Sequence, residues 1–95
     1  MISSINISDL LNLKNINLID LRSEQKYNNN HIPGAINIPY EKLIVDPNRY
    51  LDKKNKYFFY CQKGISSLKV CKLLARQGYI VVNVIGGYEE WILKK

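Results

Sequence analysis

The sequence predicts a three-layer α/β fold with a mainly parallel central sheet of about five strands flanked by helices. Strand-like apolar segments alternate along the chain with helix-like segments, and short turns join them. Residues 57–60 are four consecutive aromatic side chains, a pattern typical of a strand buried on both faces in the middle of a parallel sheet. No linker or repeat divides the 95 residues, which predicts a single domain over residues 1–95.

Composition excludes several classes of protein. With 46% apolar and 23% charged residues the chain is globular rather than disordered. It has no targeting signal and only short apolar runs, so we expect a cytoplasmic protein without a membrane partner. The net charge of +6 comes from scattered lysines without an RNA-binding aromatic pattern. We therefore expect no nucleic-acid partner, and a basic surface that attracts small anions.

The amino-terminal part contains two predicted strands. Residues 5–7 alternate as a short edge strand, and Ser8 with Asp9 then caps a helix carrying Leu10, Leu11 and Leu13. Residues 17–22 form the second strand, with Asp20 and Arg22 near its carboxyl end. Residues two apart share a side of a strand. We interpret these two as an ion pair that supports a nearby site rather than as groups that perform chemistry.

The next segment predicts a short helix, a turn and a strand. Ser23 caps helical turns over residues 23–27, and Asn28 to Asn30 end them through the left-handed conformation. His31, the only histidine, precedes the turn at Pro33 and Gly34. We expect its ring to bind backbone groups. Residues 35–39 then form a short strand.

The carboxyl-terminal half follows the same alternation. A helical turn over residues 40–44 and a polar connection lead to the central strand. The helix after it places Leu68, Cys71, Leu74 and Ala75 on one face and ends before Gly78. Residues 79–85 are a β-branched strand, and residues 88–93 are the last helix.

Cys61 is the candidate nucleophile. It lies between the carboxyl end of the central strand and the helix that Ser66 and Ser67 are predicted to cap. A thiol in this position meets unpaired N–H groups and the positive end of a helix dipole, and both favour the thiolate. Gly86 and Gly87 end the last strand at the same edge and allow close approach to this loop.

Neither the second cysteine nor any metal-ligand pattern predicts a further site. Cys71 falls on the inward helical face, so we predict a core residue rather than a resolving thiol. No His, Cys and carboxylate residues occur at metal-ligand spacing, so we expect no metal and no cofactor.

Four segments together resemble a known family: residues 18–22, 31–39, 61–67 and 84–91. In this order they are similar to the single-domain rhodaneses of the rhodanese-like sulfurtransferase family. The resemblance implies a rhodanese-type fold in which Cys61 accepts a sulfane sulfur as a persulfide. It also implies that the loop after Cys61 binds the substrate through Gln62, Lys63, Gly64, Ile65, Ser66 and Ser67.

The implied activity is that of a thiosulfate sulfurtransferase. Sulfur would pass from thiosulfate or a persulfide to cyanide or a thiol. Many members carry arginine at the position of Ser66, so here an anionic donor depends on Lys63 and on backbone N–H groups. The sequence leaves open whether Lys63 points to solvent or over the cysteine.

Two alternatives stay open at this point. Related phosphatases and arsenate reductases carry arginine six residues after the cysteine, where this chain has Ser67, which argues against phosphoryl chemistry. The second alternative is a persulfide carrier or protein-binding module, in which a partner protein accepts the sulfur and free small molecules turn over slowly.

Overall fold

The computed structural model describes residues 2–95 and contains an α/β fold with a fully parallel sheet. The five strands lie in the order β1-β5-β4-β2-β3. They are β1 (Ser3–Ile5), β2 (Asn17–Asp20), β3 (Ile36–Asn37), β4 (Lys56–Tyr60) and β5 (Ile80–Val84). The helices are α1 (Ile7–Leu10), α2 (Glu24–Asn29), α3 (Tyr40–Val45), α4 (Ile65–Arg76) and α5 (Gly87–Lys94), with a 3₁₀ helix at Pro47–Arg49. The predicted fold class is confirmed.

The central aromatic strand, β4, is buried on both faces as predicted. It lies between β2 and β5, and Phe59 pairs with Ile19 on one side and Asn83 on the other. Alternate side chains enter two separate cores. One core includes α4, and the other includes α1 and α5. Parallel strands covered by helices on both faces have this pattern.

Helix α4 begins differently from the prediction. Gly64 is its N-cap, with φ +91° and no side-chain cap, so Ser66 and Ser67 lie inside the first turn. The buried face is also shifted: Ser67 and Val70 join Cys71 and Leu74, whereas Ala75 is exposed and Leu68 is only half-buried. The predicted end is confirmed, because Gly78 follows the C-cap with φ +96°.

The first strand and its helix are shifted from their predicted positions. β1 ends at Ile5, and Ile7 already belongs to α1. Asn6, not Ser8, caps this helix, because its Oδ1 accepts the Asp9 N–H at 2.8 Å. Only Leu10 of the three predicted leucines is buried. Leu11 and Leu13 are exposed.

Ser23 caps α2 as predicted, and its Oγ accepts the Lys26 N–H at 3.3 Å. The helix ends at Asn30 in extended backbone, with φ −169°, so the predicted left-handed exit is wrong. His31 Nδ1 donates to the Tyr27 carbonyl oxygen at 2.8 Å, and its ring stacks on Tyr27 at a centroid distance of 3.8 Å. His31 thus binds the backbone, as expected.

The longest helix in residues 2–95 is α4, with 12 residues. None of the helices there has the length and apolar character needed to cross a bilayer.

Candidate functional site

The sulfur of Cys61 lies inside a loop of backbone N–H groups. Cys61 directly follows β4, and its Sγ accepts the N–H of Gly64 at 3.1 Å and that of Ser67 at 3.2 Å. The residue is 7% exposed. Amide N–H groups at the start of a helix have no partner within the helix, and here they point at one atom. The arrangement stabilises negative charge on that atom.

The end of the β5–α5 turn and the first residues of α5 hold this loop in place. The Tyr88 N–H donates to the Cys61 carbonyl oxygen at 2.9 Å, and the Glu89 N–H donates to that of Gln62 at 3.0 Å. A Cβ on Gly64 would lie 2.8 Å from the Gly86 nitrogen, closer than packing allows. The close approach expected from the two glycines is therefore present, and any side chain there would push the two backbones apart.

Ser67 and Asn83 form a buried hydrogen-bonded pair beneath the sulfur. The Ser67 hydroxyl donates to Asn83 Oδ1 at 2.6 Å, and the Cys61 thiol lies 3.3 Å from the same hydroxyl oxygen and donates to it. Sequence reasoning missed Asn83. The available signal was a polar side chain in the middle of the apolar strand β5.

Asp20 and Arg22 form the predicted ion pair, with Arg22 Nη2 2.8 Å from Asp20 Oδ2 and both side chains buried. Tyr60 adds a hydrogen bond from its hydroxyl to the same Asp20 oxygen at 2.7 Å. Burial by itself would lower the pKa of Arg22, but the hydrogen bonds and charge of Asp20 raise it overall. Burial and then the Asp20 hydrogen bond also raise the pKa of Tyr60. Both groups therefore stay protonated near neutral pH.

The Arg22 guanidinium connects this ion pair to the loop. It donates to the Asn30 carbonyl oxygen at 2.6 Å and lies 3.5 Å from Gln62 Oε1. Its face stacks on the Tyr88 ring at 3.8 Å from the centroid. Sequence reasoning missed Tyr60 and Tyr88 as partners, because both tyrosines also fit an apolar core.

The six loop residues predicted to bind substrate occupy three kinds of position. Gly64 and Ser67 supply amides to the sulfur, and Gln62 donates through Nε2 to Glu89 at 3.2 Å. The other three have exposed side chains at the rim: Lys63, Ile65 and Ser66. No carboxylate lies within 4.0 Å of Lys63 Nζ among residues 2–95.

Cys71 is a free, fully buried thiol on the core-facing side of α4. Burial, followed by the nearby Cys61, raises the pKa of Cys71 to about 12. It is a core residue, as predicted. Across residues 2–95, no three or more His, Cys, Asp or Glu side chains come close enough together to hold a metal ion.

Comparison with known proteins agrees with this architecture. The family model of the rhodanese-like domain matches residues 6–94. This chain belongs to the rhodanese-like family. A thiosulfate sulfurtransferase of Coxiella burnetii, GlpE, is 33% identical to this rhodanese-like chain over 91 residues. That match covers 95% of this chain and 84% of GlpE.

Two solved structures share the rhodanese-like fold over nearly their whole length. A rhodanese-like domain protein from Staphylococcus aureus superposes with a TM-score of 0.85 at 31% identity, covering 95% of this chain and 91% of that one. The human single-domain sulfurtransferase TSTD1 has a TM-score of 0.85 at 26% identity, with 100% and 99% covered. The resemblance read from the four sequence segments is confirmed.

Proposed function

We propose that this rhodanese-like chain is a sulfurtransferase in which Cys61 carries a sulfane sulfur as a persulfide. The observation that carries the proposal is the pair of N–H groups, from Gly64 and Ser67, that point at Cys61 Sγ. Membership of the rhodanese-like family supports the same reaction class. The sulfur donor is thiosulfate or a persulfide, and the acceptor is cyanide or a thiol.

Each half of the reaction is a displacement at sulfur. The Cys61 thiolate attacks the outer sulfur of the donor, a new S–S bond forms, and the rest of the donor leaves with the electron pair, as sulfite does from thiosulfate. The acceptor then attacks the terminal sulfur of the persulfide, and Cys61 leaves as a thiolate. A covalent intermediate of this kind divides one transfer into two simpler steps.

The loop amides stabilise anionic sulfur both in the free Cys61 thiolate and in the Cys61 persulfide. The terminal sulfur of a persulfide is negatively charged, and fixed N–H donors act on it as an oxyanion hole acts on oxygen. The Gly64 and Ser67 amides are held at the start of α4 and already point at Sγ, so they act on the thiolate without rearrangement and lie beside the sulfur that Sγ receives. Ser67 is fixed further by its bond to Asn83.

A persulfide carrier with slow small-molecule turnover is the second candidate. Ser66 replaces the arginine found in many members, and the cation closest to it in the loop is the exposed Lys63. Lysine is a point charge and lacks the planar fork that binds an anion through two hydrogen bonds. A weaker hold on thiosulfate favours a dedicated partner protein as donor or acceptor.

Intact-mass measurement tests the proposal. After treatment with thiosulfate or polysulfide, we expect the wild type and Cys71→Ser to gain one sulfur atom and Cys61→Ser to gain none. Cyanide should remove this sulfur and release thiocyanate. Rapid uptake followed by poor turnover with cyanide would support the carrier. Failure to take up sulfur from any donor would reject persulfide chemistry at Cys61.

A further inference from the structure

A groove runs beside the Cys61 loop between α3 and α4. It has a volume of about 220 Å³ and is lined by Tyr40, Ile44, Ser66, Lys69, Val70 and Leu73. Ser66 lies in the first turn of α4, next to the Ser67 amide that bonds to the sulfur. The groove therefore begins at the loop and continues along α4. Pockets for whole small molecules are usually larger, roughly 300–1,000 Å³, so this one suits a single side chain of a partner.

Apolar side chains around the groove are partly exposed. Ile65 is 63% exposed, Tyr40 is 40% exposed, and Ile44 and Leu73 are each 37% exposed. Single exposed apolar residues are ordinary, but Tyr40, Ile44 and Leu73 line one groove and Ile65 begins the same helix α4, and grouped apolar exposure marks contact surfaces. Transfer of sulfur between small anions does not require such a surface. We call Tyr40, Ile44, Ile65, Ser66, Lys69 and Leu73 the α4 face.

Positive charge accompanies the apolar surface. The loop and helix, residues 61–78, contain no Asp or Glu. They contain four cations: Lys63, Lys69, Lys72 and Arg76. None of these four has a carboxylate within 4.0 Å among the residues that the structure describes. Of these four, Lys69 lines the groove and Lys63 lies in the Cys61 loop, whereas Lys72 and Arg76 line a separate cleft with Ile2. Glu41 and Asp46, on and after α3, line a third cleft together with Arg49. An apolar groove with Lys69 in its wall and Lys63 in the adjoining loop complements an acidic partner.

We infer that the α4 face docks an acidic protein segment that presents a cysteine thiol to the Cys61 persulfide. One apolar side chain of that segment fills the groove between α3 and α4. The partner thiolate attacks the terminal sulfur, the Cys61 S–S bond breaks, and Cys61 keeps the electron pair as a thiolate. This inference rests on the proposed function, because it needs a sulfur atom on Cys61. It adds the class of partner and the surface that selects it.

Three short cysteine peptides provide the test. They are Glu-Glu-Leu-Cys, its neutral form Gln-Gln-Leu-Cys, and Glu-Glu-Ser-Cys, which lacks the apolar side chain. The full chain is loaded with sulfur, and the rate of transfer to each peptide is measured by mass. Each rate is divided by the rate of that peptide with a small disulfide reagent, which corrects for its thiolate fraction.

We expect Glu-Glu-Leu-Cys to react roughly fivefold faster than either other peptide at low salt. The advantage over the neutral peptide should disappear near 1 M salt, where the Debye length is about 3 Å. The advantage over the serine peptide should persist, because apolar contact is not screened.

Surface variants with matched controls locate the effect. Lys69→Glu should abolish the preference for the acidic peptide over the neutral one, and Leu73→Gln should abolish the preference for leucine over serine. The charge control is Lys14→Glu, which changes the net charge by the same amount as Lys69→Glu but lies between α1 and β2, outside the α4 face. The apolar control is Leu93→Gln, at an exposed position of α5. Both controls should keep the preferences of the wild type. Circular dichroism confirms that each variant is folded.

The outcomes separate the two proposals. Equal rates for the three peptides, with Cys61 fully persulfidated, would overturn docking at the α4 face and leave sulfur transfer intact. Equal effects of Lys69→Glu and Lys14→Glu would also overturn it. Absence of sulfur on Cys61 after treatment with every donor would reject both proposals together.

Discussion

Replacing Gly87 by alanine should test how tightly the β5–α5 turn is packed against the Cys61 loop. Gly87 has φ +61°, and a Cβ there would overlap the Cys61 carbonyl oxygen and lie 3.0 Å from the Gly64 nitrogen. Gly34 is a matched control with φ +88°, but a Cβ on it meets no atom within 4 Å. Gly34→Ala should therefore lower the free energy of unfolding only through the left-handed backbone, by about 1 kcal/mol.

Gly87→Ala adds two further costs. Overlap in a packed region costs about 1–3 kcal/mol. Displacement of the turn also weakens the bond from the Tyr88 N–H to the Cys61 carbonyl oxygen, about 0.5–1.5 kcal/mol. The total is about 3–5 kcal/mol, against a stability of roughly 5–14 kcal/mol for a chain of this length.

Thermal unfolding followed by circular dichroism measures the difference between the two alanine variants. The backbone cost is common to both variants, so they differ by about 1.5–4.5 kcal/mol. At about 4–8 °C per kcal/mol for a domain of this size, Gly87→Ala should melt roughly 6–36 °C below Gly34→Ala. Sulfur uptake by Cys61 should also fall in Gly87→Ala, because the Gly64 amide is displaced from the sulfur. Melting of both variants within about 3 °C of each other would refute the packing argument.

Three other predictions concern the groups around Cys61. Asn83→Val and Ser67→Ala should each lower the free energy of unfolding, measured in urea, by about 1–2 kcal/mol. The double variant should lose about 1 kcal/mol less than the sum of the two, because neither buried group is then left without its partner. Strictly additive losses would contradict the hydrogen bond between the two side chains. Asp20→Asn should lower the free energy of unfolding by about 3–5 kcal/mol, because the Arg22 cation stays buried without its carboxylate. A loss below about 1 kcal/mol would contradict this and would show that the cation finds another partner. Because the pKa of Cys71 is raised from 9.0 to about 12, its contribution to stability is complete below pH 9 and is lost as pH rises from 9 to 12. Wild type should therefore lose stability across this window more steeply than Cys71→Ala, by up to about 1.4 kcal/mol per pH unit, and parallel pH profiles would contradict this.

Local pattern was enough to predict the central strand, the position of Cys61 and the ion pair. The aromatic run predicts a two-face buried strand because alternate side chains must both be covered. Asp20 and Arg22 could be paired because residues two apart share a side of a strand. Each of these features is determined by residues that are close together in the sequence.

Two errors at the site arose where a distant segment decides the local structure. Ser66 and Ser67 look like N-caps, but the chain folds Gly64 against Gly86, and that contact makes Gly64 the N-cap. Asn83 could not be connected to Ser67, because their meeting depends on packing between α4 and β5 and not on spacing along the chain. Hydrogen bonds between residues far apart in sequence need the register of the sheet, which a single sequence does not contain.

The arrangement of charges explains why the backbone, rather than a side chain, is suited to hold the sulfur anion. Arg22 is the buried cation closest to the loop, but its guanidinium is occupied by Asp20 and the Asn30 carbonyl oxygen and is stacked on Tyr88. A cation paired in this way has little attraction left for a substrate. The amides of Gly64 and Ser67 are fixed by the same framework and have the sulfur as their acceptor. The ion pair therefore positions the loop, and the helix terminus provides the donors, so removal of Arg22 should act through loop geometry rather than through loss of positive charge.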